Sequence, residues 1–175
     1  MIISFPPVVN KTCKVLILGS MPGLDSLRFQ QYYGHKRNSF WHIIFSLTST
    51  EASDDYRVKK KCLLKNKIAV WDVLKSCDRK GSLDSAIKKK SIVTNDFKNF
   101  FKMYPSIRTV FFNGATAQNE FNKRVVPELK ESFGYIKYHR LPSTSPAMAM
   151  MTREEKLSKW SLITQLGLDP KLKSQ

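Results

Sequence analysis

The chain has few cysteines and no long apolar stretch. It contains three cysteines in 175 residues, and none forms a Cys-x-x-Cys pair. Structural zinc sites and iron–sulfur clusters need several ligands at short intervals, so we expect no metal and no other cofactor, and scattered thiols are typical of a reducing compartment. No apolar run approaches the roughly 20 residues of a membrane span, and no basic segment followed by an apolar block opens the chain. We expect a soluble, unprocessed protein, cytoplasmic in a bacterium or archaeon or nuclear in a eukaryote.

Acidic residues are also scarce. Fourteen Asp and Glu stand against 30 Lys and Arg, which leaves a net charge of +16. A field of this sign attracts polyanions, because bound counterions are released on contact. Nucleic acid is the main expected partner and an anionic membrane surface a lesser one. A generally basic proteome would give the same balance, so charge alone does not decide the function.

Strand and helix patterns alternate along the chain. Continuous apolar runs that stop at Gly, Asp or Asn predict strands buried on both faces, and apolar residues at helical spacing predict helices between them. Thr152 and Glu155 form a capping-box pattern that opens the last helix. Strands that alternate with helices predict an α/β fold, a parallel sheet covered on both faces, in one domain over 1–170 with a tail over 171–175. The predicted strands are 14–19, 68–73, 109–112 and 136–141, and the predicted helices are 39–47, 54–66, 95–104, 115–121 and one from 152 onward.

The loops that follow these strands are expected to meet. In parallel α/β sheets, ligands bind outside the carboxyl ends of the strands, where neighbouring loops converge. Four segments should therefore lie together: 19–23, 72–75, Asn113-Gly114 and 142–146. The Asn113-Gly114 turn into a helix also resembles a phosphate-binding loop, although it lacks the Lys and the spacing of a P-loop.

Five sequence motifs stand out along the chain: GSMPG (19–23), QYYGHKRNSFW (31–41), WDVL (71–74), CDRKGSLD (77–84) and LPSTSPA (141–147). In this order they resemble the uracil-DNA glycosylase superfamily, and most closely its hypoxanthine-DNA glycosylase branch. Mismatch-specific uracil and thymine glycosylases carry a similar His-x-x-Asn-x-Phe-Trp element. The family more often has Pro where this chain has Lys36 and Asn where it has Met148. The resemblance runs from Val15 to about Trp160.

The resemblance implies a three-layer α/β/α sandwich around a four-stranded parallel sheet, and a catalytic role for Asn38. An amide oxygen can orient a water toward the cationic sugar carbon of a departing nucleotide. The mismatch-uracil branch has a catalytic Asn in the first loop, at the position of Met21, and Met cannot orient water. The alternative is that Asn38 only caps the helix that begins at Ser39.

Further residues are implied to hold the flipped base. Asp72 ends the second strand where relatives read the base, and a carboxylate there can accept from the N–H of hypoxanthine; the alternative is a cap for the following turn. Tyr33, or its neighbour Tyr32, can stack on the base, unless both are core residues. His35 can donate to the base or to a phosphate. The predicted base-binding residues are Gly19, Ser20, Met21, Tyr33, His35, Asp72 and Asn113.

A third group is expected to contact DNA around the lesion. Hydroxyl and backbone N–H groups after the fourth strand suit phosphate oxygens. Ala147 and Met148 can fill the space that the extruded base leaves. The predicted DNA-binding residues are Lys36, Arg37, Ser143, Thr144, Ser145 and Met148.

These observations predict a monofunctional DNA glycosylase of base excision repair. It would hydrolyse the N-glycosidic bond of a deaminated base, hypoxanthine first, and leave an abasic site. The expected partner is double-stranded DNA with deaminated bases, with single-stranded DNA as a further candidate, and the protein is expected to be a monomer that does not bind membranes. The alternatives are a uracil or broad-specificity deaminated-base glycosylase and, in another class, a non-catalytic nucleic-acid-binding module.

Overall fold

A computed structural model describes residues 1–129 and 132–168, and at its centre lies a parallel sheet of four strands. The strands of this sheet are β2 (Val15–Gly19), β3 (Ile68–Asp72), β6 (Thr109–Asn113) and β7 (Lys137–Leu141). Their order in the sheet is β3-β2-β6-β7, and every residue of β2 and β3 is buried. The α/β fold and the four-stranded parallel sheet predicted from the sequence are confirmed.

Helices cover both faces of this sheet. On one face, Phe112 of β6 packs against Phe121, with ring centroids 5.2 Å apart. On the other face Phe111 lies against Gly167, just after the last helix. The helices are α1 (Leu24–Phe29), α2 (Phe40–Leu47), α3 (Tyr56–Lys65), α4 (Phe97–Met103), α5 (Ala115–Arg124), α6 (Val126–Leu129), α7 (Arg153–Trp160) and α8 (Leu162–Leu166).

Side-chain caps fix where several helices begin. The Asp55 carboxylate accepts from the N–H of Arg57, so α3 begins at Tyr56 rather than at 54. Asp96 accepts from Asn99 in the same way, and α4 begins two residues later than expected. The capping box predicted for α7 is present, and α5 continues to Arg124, three residues beyond its predicted end. The predicted tail over 171–175 lies outside the described residues.

A small antiparallel sheet was not predicted. It has the order β1-β4-β5, with β1 (Ile2–Ile3), β4 (Leu74–Cys77) and β5 (Val93–Thr94). Only Val73 separates β4 from β3, and its N–H donates to the carbonyl of Gly19 at 2.9 Å. Strands of two to four residues with mixed polarity carry too little periodicity to be recognised in a sequence.

In the register of the large sheet, the carboxyl-terminal residues of neighbouring strands lie side by side. Gly19 of β2 pairs with Asp72 of β3, and Asn113 of β6 pairs with Leu141 of β7. The polar residues that end these strands therefore lie along one edge. Among the described residues, no helix is both long and apolar enough to cross a membrane.

The aromatic core supports a stability prediction. Phe121 is fully buried, and its ring contacts Phe97, Phe112 and Tyr138. We expect Phe121→Ala to lower the free energy of unfolding by about 3–5 kcal/mol, because it removes transfer free energy and leaves a cavity. Urea denaturation measures the change. The matched control is Phe29→Ala, where the ring is 47% exposed, with an expected change within about 0.5 kcal/mol. Equal losses in the two variants would contradict this assignment of the core.

Candidate active site

The loops that follow the four strand ends are joined by backbone hydrogen bonds, and we call the region between these loops the recess. Leu74 donates its N–H to the carbonyl of Ser20 at 3.1 Å, which joins the loop after β2 to the chain after β3. Gly114 donates to the carbonyl of Leu141 at 3.0 Å, which joins the loops after β6 and β7. The N–H groups of Ser20 and Met21 donate to no other group within residues 1–129 and 132–168. The loop after β2 thus uses its carbonyls to hold its shape and leaves two donors free.

Gly19 is where the backbone passes closest to the polar side chains of the recess. A Cβ built on Gly19 would lie 2.6 Å from Oδ1 of Asp72 and 3.2 Å from the hydroxyl oxygen of Tyr33. Real Cβ atoms do not approach a carboxylate oxygen this closely. Glycine at position 19 therefore allows the backbone, the carboxyl and the phenol to share one small space.

Asp72 is a buried acid with a raised pKa. Its side chain is 3% exposed, and its Oδ2 is buried without a hydrogen-bond partner among the described residues. The pKa of Asp72 is raised to about 8, chiefly by burial and also by the charge of Asp84, while the charge of Arg79 acts in the opposite direction. At pH 7 the carboxyl is therefore mostly protonated and offers one donor and one acceptor.

The two neighbouring tyrosines have different positions. The Tyr32 hydroxyl lies 3.1 Å from the carbonyl of Phe5, and Tyr32 belongs to the core. Tyr33 adopts a left-handed backbone with φ of 54°, and its ring stacks on Phe40 with centroids 3.8 Å apart. Its hydroxyl is buried without a hydrogen bond of good geometry within the described part of the chain, and burial raises the pKa of Tyr33. Of the two, Tyr33 is the residue at the recess.

Asn38 stands just before α2, at the rim of the recess. Its Oδ1 accepts from the N–H of Phe40, the first residue of α2, at 3.0 Å, whereas the N-cap residue Ser39 makes no side-chain capping bond. The same helix start is tied to the loop after β7, because Ser39 donates its N–H to the carbonyl of Thr144 at 3.0 Å. A carbonyl oxygen has two acceptor sites, so the capping bond leaves Asn38 one site for a water. Capping and orientation of a water are thus compatible in one side chain.

Asn113 and Thr144 join the loops after β6 and β7. Asn113 donates from Nδ2 to the Thr144 hydroxyl and accepts from the Thr144 N–H, both at 2.9 Å. This pairing occupies both ends of the Asn113 amide. Thr144 is completely buried, with its hydroxyl and its N–H both held by Asn113, and its contact with DNA stays a prediction. Gly114 has φ of 98°, a conformation that favours glycine, and it turns the chain into α5 beside Ser143.

The turn between Tyr33 and Asn38 presents cations to solvent. Lys36 and Arg37 are exposed. His35 is partly exposed: its Nδ1 accepts from the N–H of Arg37 at 3.1 Å, and its Nε2 lies 3.8 Å from a carboxylate oxygen of Asp25. Met21, by contrast, is 6% exposed and packs in the core, and its thioether cannot hold a water in place. The predicted cations thus stand next to the predicted catalytic residue.

A buried lysine supports the loop after β7. Lys156 is 3% exposed and donates from Nζ to the carbonyl of Met148 at 2.9 Å. Ser143, Ser145 and Met148 are partly buried. The most exposed large apolar side chain near them is that of Met150, at 92%, which the sequence reasoning did not select.

A second missed group comes from the segment that follows β4. Arg79 and Asp84 contact the loop after β2: Arg79 donates from Nη2 to the carbonyl of Pro22, and Asp84 accepts from the hydroxyl of Ser20 at 2.8 Å. The CDRKGSLD motif contains both residues, and it was the one signal that could have found them. No group of three or more His, Cys, Asp or Glu side chains among the described residues is placed to hold a metal ion.

Comparison with known proteins identifies this architecture. The family model of the uracil DNA glycosylase superfamily matches residues 6–166. The chain belongs to that superfamily. This match confirms the family predicted from the sequence. It also confirms the predicted enzyme class, a DNA glycosylase.

Individual relatives agree with this placement. The chain is 36% identical over 160 residues to a hypoxanthine DNA glycosylase of Methanosarcina acetivorans, across 91% of this chain and 95% of the relative. It is 41% identical over 111 residues to a hypoxanthine DNA glycosylase of Methanosarcina barkeri, across 63% of this chain and 69% of the relative. A solution structure from M. acetivorans, described as a proposed uracil DNA glycosylase, is similar with a TM-score of 0.75 and 35% identity, and the match covers 91% of this chain and 94% of the other.

The close approach at Gly19 gives a prediction for activity. We expect Gly19→Ala to reduce glycosylase activity by about 100-fold, because the methyl group displaces the Asp72 carboxyl or the loop by a distance on the order of 1 Å. Gly23→Ala is the matched control, since the nearest atom to its added Cβ is Ser82 Oγ at an ordinary 3.5 Å. Release of base from a duplex with a deaminated base is measured after circular dichroism has shown that both variants fold. Equal activity of the two variants would count against a recess at Gly19.

Proposed function

We propose that this DNA glycosylase releases hypoxanthine from deoxyinosine in duplex DNA and leaves an abasic site. The observation that carries the proposal is the buried, neutral carboxyl of Asp72 with its unpartnered Oδ2, beside Gly19 and the Tyr33 hydroxyl. Two relatives that bear the name hypoxanthine DNA glycosylase support the choice of base.

The neutral carboxyl matches the edge of the deaminated purine. Hypoxanthine presents a carbonyl acceptor beside a ring N–H donor, and a protonated carboxyl offers one donor and one acceptor in return. When the glycosidic bond breaks, negative charge develops on the departing base and partly on that carbonyl. A donor aimed at the carbonyl stabilises this charge, whereas an ionised carboxylate would repel it. Asp72 thus both reads the base and assists its departure.

Asn38 positions the water that acts as the nucleophile. Bond cleavage leaves a cationic sugar, which a neutral water can attack without a strong base. The second acceptor site of Asn38 Oδ1 can hold that water, and the capping bond to Phe40 fixes the amide in one orientation. Orientation of the water lowers the barrier because its entropy is lost before the reaction begins.

The remaining residues enclose the base and hold the DNA. The wall of the recess is formed by Tyr33, His35 and the loop residues Gly19, Ser20 and Met21. Asn113 joins the loops after β6 and β7 through Thr144. The exposed Lys36 and Arg37 meet the phosphates beside the lesion, together with Ser143, Ser145 and Met148. Extrusion of the base costs a few kcal/mol, and less for a mispaired base, which favours a deaminated one.

The form of the DNA substrate, the oligomeric state and the cellular location follow from this chemistry. The proposed substrate is double-stranded DNA, and single strands fit the same recess because their bases need no unpairing. A monomer is sufficient, since all the proposed site residues come from one chain. The substrate would place the protein with the chromosome, in the cytoplasm of a bacterium or archaeon or in a nucleus.

A substrate panel tests the proposed function. Duplexes that carry deoxyinosine, deoxyuridine or deoxyxanthosine are incubated with the protein, and alkali then cleaves the strand at abasic sites. We expect cleavage at deoxyinosine to be the fastest, and no cleavage without alkali. Uracil presents the same N–H and carbonyl pattern, so faster release of uracil would make the broad or uracil-type activity the correct one. A protein that binds these duplexes and releases no base would be a binding module.

Substitution of Asn38 separates catalysis from helix capping. Asn38→Ser keeps a side chain that can cap α2 but removes the amide, and Asn38→Ala removes both. We expect each to lower the single-turnover rate by at least about 100-fold while binding to lesion DNA is retained. Thermal unfolding should show a loss of stability for Asn38→Ala only. A Ser variant as active as the wild type would limit Asn38 to capping. The control is Asn99→Ala, since Asn99 lies in α4, outside the recess, and bonds to Asp96.

A further inference from the structure

A short segment that the proposed function does not use crosses the loop after β2. We call residues 79–84 the strap. Ser82 Oγ accepts from the N–H of Leu24 at 2.9 Å, and Arg79 donates to the carbonyl of Pro22 and, from Nε, to the carbonyl of Gly81 at 2.9 Å. The strap therefore fixes the far end of the loop whose near end is Gly19.

Arg79 and Asp84 carry opposite charges at this crossing. The Arg79 side chain is completely buried, and its Nη1 lies 3.8 Å from Asp84 Oδ1 without a hydrogen-bond partner among the described residues. Asp84 is about one-third exposed and accepts the single hydroxyl proton of Ser20 with both oxygens, at 2.9 and 2.8 Å. Because that proton points to Asp84, the Ser20 oxygen can only accept from any other partner. Such an oxygen suits the ring N–H of a deaminated base and not the bare ring nitrogen of adenine.

The same two charges act on Asp72. The titratable groups that face it are the phenols of Tyr32, Tyr33 and Tyr56, together with Asp84 and Arg79. Burial raises the pKa of each phenol, so the three are neutral below pH 10 and Asp84 and Arg79 supply the charge. The Asp84 carboxylate favours the protonated form of Asp72, and the Arg79 guanidinium favours the ionised form.

We propose that Asp84 and Arg79 are positioning residues for base recognition, which act through the Ser20 hydroxyl and the Asp72 carboxyl. The inference rests on the proposed function. Asp84 directs the Ser20 proton and adds to the effect of burial in favouring protonated Asp72, whereas Arg79 anchors the loop and opposes the effect of Asp84. Neither residue touches the reacting atoms, and together they set the hydrogen-bonding pattern that the recess offers to a base.

The test is a pH profile of single-turnover base release, measured with the deaminated base that the wild type releases fastest. For the wild type, the activity should fall as the pH rises through about 8, because Asp72 then ionises. We call this fall in activity at high pH the alkaline limb of the profile. Asp84→Asn keeps an oxygen for the Ser20 proton and removes the charge, so the midpoint of the alkaline limb should decrease by about one pH unit. Between pH 6 and pH 8 the activity of Asp84→Asn should then fall about tenfold, against about twofold for the wild type. Arg79→Gln should move the limb in the opposite direction.

The control is Asp54→Asn, which removes one carboxylate from an exposed position before α3; its profile should coincide with that of the wild type. Opposite shifts for the two strap variants support the inference, because a merely structural defect lowers activity at every pH without moving the limb. Should Arg79→Gln fail to fold, the difference between Asp84→Asn and Asp54→Asn decides alone. An unmoved limb in Asp84→Asn, or shifts of both strap variants in one direction, overturns the inference and leaves the proposed function intact. A wild type that releases no base overturns both.

Discussion

The site depends on the close approach of the Asp72 carboxyl to the backbone of Gly19, a residue without a side chain. Gly19 and Asp72 are paired in register at the ends of two adjacent parallel strands, and no side chain larger than hydrogen fits between them. This pairing removes Asp72 from water without supplying a partner for Oδ2. The sheet thereby raises the pKa of Asp72 to about 8, and the proposed recognition of the base follows from that shift.

Much of the large sheet could be predicted from local sequence. Buried parallel strands appear as unbroken apolar runs, and residues such as Gly19, Asp72 and Asn113 mark where each run stops. Because parallel strands present their carboxyl ends at one edge, the recess could be located before its geometry was known. The residue types at the strand ends, combined with the family resemblance, were enough to select Asn38 and Asp72.

What could not be predicted depends on contacts between distant parts of the chain. The hydroxyl of Ser20 donates to Asp84, which lies 64 residues away in the sequence. No periodic pattern in the segment between them predicts that residues 79–84 cross the loop after β2. Arginine is rarely buried without a close partner, so nothing local suggests that Arg79 lies inside. Thr144 sits in a Ser-, Thr- and Pro-containing stretch that is typical of an exposed turn, yet its pairing with Asn113 places it in the interior. The protonation of Asp72 likewise arises from packing, not from its neighbours in sequence.

The pairing of Asn113 with Thr144, and the hold of Lys156 on the carbonyl of Met148, have a consequence for DNA binding. A loop that is anchored on both sides has already given up most of its conformational freedom before a duplex arrives. Association then requires little further ordering of the protein, so more of the contact free energy remains for distortion of the helix. In this enzyme the duplex would be opened by a loop after β7 that is preorganised by the fold.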